Sequence, residues 1–176
     1  MAEFIQKHKL FSFYSALMIA VVLIAIFAPW LAPGDAFSSN LSQALQAPSS
    51  QHWFGTDKLG RDVLSRIIYG TQLSLFMGVS IVVIMVSIGT IIGAVAGYFG
   101  GKIEMVLMRL ADIMLSFPGV VLAIAIAGIL GGSIVNTIIA LSVVGWAKYA
   151  RLVRSMTLKV RGEEYVTAAV MMGGST

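Results

Sequence analysis

No charged residue lies between Lys9 and Asp35, between Arg66 and Lys102, or between Asp112 and Lys148. A helix needs roughly 20 apolar residues to cross the bilayer's hydrocarbon core, so each gap has room for at least one crossing. Composition points the same way. Of 176 residues, 58% are hydrophobic and 11% charged, whereas a soluble domain carries about 25% charged residues. The expected fold class is an all-α integral membrane protein. The net charge of +4 does not indicate nucleic acid, because the basic residues flank apolar segments, where membrane topology places them. The chain has no cysteine, which excludes disulfides and thiolate metal sites.

The first span runs from about Leu10 to Ala28, preceded by Lys7 and Lys9. It is longer than the apolar core of a secretory signal, about 7–15 residues, and reads as an uncleaved span. Pro29-Trp30-Leu31-Ala32-Pro33 follows, an interfacial exit with a Trp anchor and helix-stopping prolines. A turn-rich loop then extends from Pro33 to about Trp53. From Lys58 to Tyr69, Leu59, Val63, Leu64, Ile67 and Ile68 recur at helical spacing, with Lys58, Arg61, Asp62 and Arg66 on other faces. This pattern predicts an amphipathic helix lying along the membrane surface, with Thr56 or Asp57 as its N-cap. The second span covers about Leu73 to Gly97. Gly89, Gly93, Gly97 and Gly101 make one flat strip on it, where a helix of this subunit or of a neighbouring subunit approaches closely.

Arg109 and Asp112 are three apart and suited to pair on one helical face. The uncharged run from Ile113 to Ala147 would extend roughly 52 Å as one helix, too long for a single crossing of a roughly 30 Å core. Gly128, Gly131, Gly132 and Ser133 mark a turn, dividing it into spans of about Ile113–Leu130 and Ile134–Ala147. Ser116-Phe117-Pro118 should kink or break the first of these, because Pro118 has no N–H to donate. Lys148, Arg151, Arg154, Lys159 and Arg161 form the densest basic cluster, expected on the cytoplasmic side. About four spans put that cluster on the side of Lys7 and Lys9 and place the 33–66 region outside. The expected division is 1–70 (first span, outer loop and amphipathic helix) and 71–176 (membrane core). The ending Gly173-Gly174-Ser175-Thr176, with no further apolar helix or polar tail, reads as that of a truncated chain.

Two stretches carry a resemblance. The run His52-Trp53-Phe54-Gly55-Thr56-Asp57-Lys58-Leu59-Gly60-Arg61-Asp62-Val63-Leu64-Ser65-Arg66 resembles a signature of the second-type permease subunits of dipeptide, oligopeptide and nickel ATP-binding-cassette (ABC) importers. Trp146-Ala147-Lys148-Tyr149-Ala150-Arg151-Leu152-Val153-Arg154-Ser155 is similar to a second run of the same family. It leads into Glu163, Glu164, Tyr165, Val166, Thr167, Ala168, Ala169 and Gly173, which resemble the start of the cytoplasmic E-A-A-x-x-x-G loop, with Thr167 standing at the Glu position. The resemblance implies a type I importer transmembrane domain whose loop docks on an ATP-hydrolysing subunit. It further implies a second permease subunit, two ATP-binding subunits and an extracytoplasmic substrate-binding protein. ATP and Mg would belong to the partner ATPase, since this chain has no G-x-x-x-x-G-K-[ST] loop. No cofactor is expected on this chain itself.

The residues taken alone leave other readings open. The terminal segment also suits a juxtamembrane helix held by anionic lipid through Lys148, Arg151, Arg154, Lys159 and Arg161. In the outer motif, Gly55 and Gly60 suit turns, Asp57 suits a cap, and Arg61, Asp62 and Arg66 suit surface pairs or contact with a binding protein. His52 and Asp57 make a poor metal site, which needs three or four ligands. Asn136, Thr137 and Ser142 are the main polar groups at depth, expected in interhelical hydrogen bonds. A secondary transporter or channel would place ionisable residues inside its spans, and none has a central charge. An intramembrane hydrolase would need a nucleophile and base at depth, yet His8 and His52 lie outside the spans. Peptide and nickel branches share both signatures, and peptides are the expected substrate.

Overall fold

The computed structural model describes residues 9–173. Lys7, His8 and the terminal Gly174-Ser175-Thr176 fall outside the described residues. The elements are α1 (Lys9–Ile26), α2 (Ala28–Leu31), a 3-10 turn (Leu41–Gln43), α3 (Val63–Phe99), α4 (Gly101–Ser116), α5 (Gly119–Leu130), α6 (Ile134–Arg161) and α7 (Glu164–Met171). Apart from one isolated bridge between Thr56 and Asp62, the described residues are helix, turn and loop. The chain divides between Phe76 and Met77 into two compact units.

In the first unit, α1 has no internal glycine or proline, and Leu10, Phe13, Leu17, Met18, Ile19 and Leu23 are exposed along it. That is the surface of a lipid-facing helix. No separate amphipathic helix exists over Lys58–Tyr69. Val63 begins a single helix that continues unbroken for 37 residues, roughly 55 Å at 1.5 Å per residue. The apolar spacing of Val63, Leu64, Ile67 and Ile68 is real, but it belongs to the first turns of that helix. Residues 57–61 are held in a turn by the Asp57 carboxylate, which accepts the N–H groups of Leu59 and Arg61. The helix therefore starts only after them. Asp62 caps it by accepting the Ser65 N–H at 2.7 Å, in place of Thr56 or Asp57.

In the second unit, the glycine strip of α3 meets α6. A Cβ added at Gly89 would lie 2.8 Å from the Trp146 carbonyl oxygen, at Gly93 2.4 Å from that of Ala150, and at Gly97 2.7 Å from the Thr157 Cβ. The two helices touch backbone to backbone. Gly101 is not part of the strip. Helix α3 ends at Phe99, and Gly100 and Gly101 both have positive φ in the reversal into α4.

Helices α4 and α5 meet at a 90° bend around Phe117 and Pro118. Phe117 is extended, at φ −91° and ψ 147°, as the residue before a proline prefers. The next turn pivots on Gly131 at φ +89°. Ser133 caps α6 by accepting the Asn136 N–H, and the Asn136 side chain donates back to the carbonyls of Leu130 (2.6 Å) and Gly131 (3.0 Å). Asn136 thus ties a loop, and the Thr137 hydroxyl donates within its own helix to the Ser133 carbonyl. Ser142 is buried, and its hydroxyl has no partner among the described residues. Of the three, Asn136 makes the expected bond between helices, to the last residue of α5, and Thr137 bonds within its own helix.

By length and apolar character α1 and α3 can each cross a membrane, and the bent α4–α5 pair makes a third crossing if it counts as one. Helix α6, 28 residues and roughly 42 Å long, has the length for the expected fourth crossing, although only its first half, Ile134–Ala147, is free of charge. That half continues as helix straight into the basic half of α6.

The glycine contacts predict opposite outcomes for one substitution at two sites. Gly78 sits inside α3 with no atom of another element within 4 Å of an added Cβ. Gly78→Ala should leave stability unchanged or raise it by up to about 1 kcal/mol through helix propensity. Gly93→Ala should lower it by about 1–3 kcal/mol, because the methyl meets rigid backbone. Thermal unfolding of the full-length protein in detergent distinguishes the two.

Candidate functional site

The 33–66 loop is built on Asp57. Its Oδ1 accepts the N–H of Leu59 at 2.8 Å and of Arg61 at 3.0 Å, and its Oδ2 accepts Arg61 Nε at 2.9 Å. Arg61 Nη2 at 2.7 Å and Arg66 Nη1 at 3.2 Å complete the cluster. The Arg61 side chain, then its backbone N–H, hold the Asp57 carboxyl down at about 2. Asp57 is therefore the hub of a turn and of two arginine pairs. Gly60 closes that turn at φ +74°, where an added Cβ would lie 1.7 Å from the Asn40 carbonyl oxygen, so only glycine fits. Gly55, at φ +73°, donates to the His52 carbonyl at 2.9 Å. The Thr56 hydroxyl accepts the Gln46 N–H at 2.9 Å and donates to the Gln43 carbonyl.

Asp62, expected in a surface pair, is 3% exposed. Its Oδ2 accepts both the N–H and the hydroxyl of Ser65 at 2.7 Å, and its Oδ1 lies 3.0 Å from His52 Nδ1. Burial pushes the Asp62 carboxyl up, but hydrogen bonds from Ser65 and His52 outweigh it and hold it below the usual range. The Ser65 hydroxyl also accepts the Gly34 N–H at 3.0 Å. The carboxylate sits between the imidazole and the hydroxyl, so His52 is not placed to take the Ser65 proton, as activation of a nucleophile requires. This chain of bonds is a lock joining residue 34, residue 52 and the start of α3. Among the described residues, no group of three or more His, Cys, Asp or Glu side chains is placed to hold a metal. Ser65 stood in the quoted motif without an assigned role. Its signal was the Asp-x-x-Ser spacing, in which the Asp62 cap collects the buried Ser65 hydroxyl.

At the other end of the chain, α7 follows α6 after only Gly162 and Glu163. Glu163 is its N-cap and Glu164 lies in its first turn, where negative charge favours a helix N-terminus. Tyr165, Thr167, Ala168 and Ala169 are exposed, and Gly173 follows at φ +94°. Val166 is half-buried, over a cavity of about 380 Å³ lined by Tyr98, Met156, Thr157, Val160 and Arg161. The small residues thus offer an open backbone surface at the end of a packed helix.

The basic cluster on α6 is largely engaged within the chain. Arg151 reaches Asp112 at 2.6 Å, Arg154 Nε reaches Glu104 at 2.6 Å, and Arg161 donates to the Tyr98 carbonyl at 2.9 Å. Asp112 accordingly pairs across helices with Arg151 rather than along α4 with Arg109. Both Arg151 and Asp112 are half-exposed, so their pair contributes no more than about 1 kcal/mol. Three of the cations expected to hold lipid instead hold protein.

The lowered carboxyls set an acid limit on the 33–66 loop. A carboxyl whose folded pKa is depressed stabilises the fold fully above its unfolded value and loses that contribution as pH falls through the folded value. Protection of the Leu59, Arg61 and Ser65 amides against hydrogen exchange should hold from pH 8 to 5. It should fall as pH drops from about 4 to about 2. Gly60→Ala should abolish it at neutral pH.

A family model described as the binding-protein-dependent transport system inner membrane component matches residues 89–176. Another, the N-terminal TM domain of oligopeptide transport permease C, matches residues 5–48. The dipeptide transport system permease protein DppC of Alkalihalophilus pseudofirmus is 44% identical over 169 residues, which are 96% of this chain and 56% of that protein. The oligopeptide transport system permease protein OppC of Bacillus subtilis is 36% identical over 97% of this chain and 56% of its own length. The nickel transport system permease protein NikC of Escherichia coli K12 is 38% identical over 87% of this chain and 55% of its own length. The chain spans about half the length of the curated relatives it matches. Helical throughout its membrane segments and matched at both ends, it belongs to the family of binding-protein-dependent transport system inner membrane components.

Proposed function

We propose that this chain is part of a permease subunit of an ABC importer for peptides, in the bacterial inner membrane with its N-terminus in the cytoplasm. The observation that carries the reading is α7. A small-residue helix with the family's loop pattern stands exposed at the end of α6, separated from it only by Gly162 and Glu163. Ala168, Ala169 and Gly173 let a partner surface approach the backbone, and Glu163, Glu164, Tyr165 and Thr167 frame that surface.

In this reading the chain is a transport subunit, not an enzyme. ATP and Mg act on two partner ATPase subunits, a second permease subunit completes the pathway, and an extracytoplasmic binding protein delivers the substrate. Gly55, Thr56, Asp57, Gly60, Arg61, Asp62 and Arg66 form the outer loop's frame, and the lipid bilayer contacts the apolar faces of α1 and α3. Closure of the ATPase subunits moves α7, and the membrane helices open toward the binding protein. Peptides are favoured because relatives named for dipeptide, D,D-dipeptide, oligopeptide and glutathione transport all match this chain. Nickel is the second reading, favoured by the match to NikC over the same segments.

Cells lacking the full-length gene should lose uptake of labelled dipeptide and retain uptake of labelled nickel, and the reverse result would establish the nickel reading. Ala169→Trp should lower co-purification of the ATPase subunits at least tenfold and abolish uptake, with the permease still present in the membrane. Unchanged co-purification would refute the docking role of α7.

A further inference from the structure

Helix α6 is an unbroken rod of 28 residues, so a displacement of α7 reaches it with little slack. The rod is fixed to α3 by the Gly89, Gly93 and Gly97 contacts and by the Arg161 bond to the Tyr98 carbonyl. It is fixed to α4 by two ion pairs, Arg154 with Glu104 and Arg151 with Asp112. The acidic partners stand on either side of Arg109 and border one cavity of about 410 Å³ together with Arg151 and Arg154. The Arg154–Glu104 pair is partly shielded, each side chain less than one-third exposed. Beyond Asp112, α4 runs one turn to the 90° bend at Phe117 and Pro118. A second cavity, about 480 Å³, lies at that bend between Met85, Met114, Phe117, Val120 and Val144. Apart from Lys148 its lining is apolar.

We infer that Glu104, Asp112, Arg151 and Arg154 are positioning residues for transport: their two ion pairs make α4 move with α6, so that displacement of α7 is delivered to the Pro118 bend. This deepens the proposed function and rests on it. The pairs stand where a merely stabilising role would need no charge, since α4 and α6 already pack against each other, and Ala111 of α4 is fully buried. Charged links between two helices resist sliding along their axes, because each arginine is held to one carboxylate at a set distance. Apolar contact alone does not, being non-directional.

The test uses the full importer reconstituted in proteoliposomes, with labelled dipeptide uptake and ATP hydrolysis measured together. Glu104→Ala combined with Asp112→Ala should leave assembly and basal hydrolysis within twofold of wild type. Dipeptide moved per ATP hydrolysed should fall at least fivefold. The exchange Asp112→Arg with Arg151→Asp should keep that ratio within twofold of wild type, while Asp112→Arg alone lowers it. An assembled neutralised variant with an unchanged ratio, in a system where wild type transports, would overturn the inference and leave the importer reading intact. A change in melting temperature with the ratio unchanged would do the same, because it marks a purely structural role. Wild-type importer that hydrolyses ATP but moves neither dipeptide nor nickel would overturn the importer reading, and the inference with it.

Discussion

The approach of α3 to α6 through Gly89, Gly93 and Gly97 is the contact on which the second unit depends. In lipid, apolar side chains gain nothing by leaving the solvent for a neighbouring helix, so association rests on close packing. Three glycines at intervals of four supply it, bringing backbone against backbone at Trp146, Ala150 and Arg154. Ala147 and Ala150 continue the same economy of size on the α6 side, both fully buried. Once α6 is seated, its basic half lies where Glu104 and Asp112 can meet it. The position of α7 follows from the short Gly162–Glu163 connection.

The first unit is held by a different physics. Its loop has few buried apolar side chains, and Phe37, Leu41, Leu45, Trp53 and Phe54 remain exposed. Cohesion comes from two carboxylates that collect donors: Asp57 from its own turn and two arginines, Asp62 from Ser65 and His52. A buried carboxylate without such donors would be strongly unfavourable. With them it fixes geometry, since every donor has one place to go. The glycines of the motif serve the same turns, and Gly60 does so under the tightest constraint.

Much of this was legible in the sequence. Charge-free gaps located the apolar helices, Pro118 located the bend, and Gly131 with Ser133 located the turn, because each is a local consequence of residue type. What escaped was decided by tertiary partners. Helical spacing over Leu59 to Ile68 suggests a separate surface helix because it carries no sign of the Asp57 turn that excludes the first residues, nor of the continuous run from Val63 into the second span. Asp112 was paired with its sequence neighbour Arg109, whereas α6 brings Arg151 within reach. Gly101 extended the spacing of the strip but lay beyond the end of its helix. Asp62 suited a surface pair, and only the folding of residue 34 and residue 52 onto it and Ser65 makes a buried lock.

The central claim is that the short helix following α6 is the handle by which a partner ATPase acts on this chain. These 176 residues hold no cysteine, so a single Ala169→Cys substitution places one thiol in this region, on that helix. The direct measurement is cross-linking from that thiol in the assembled importer, with and without ATP. The account predicts a cross-link to the ATPase subunit whose yield changes on ATP binding. A transporting complex in which residue 169 cross-links to lipid alone, whatever the nucleotide, would contradict it.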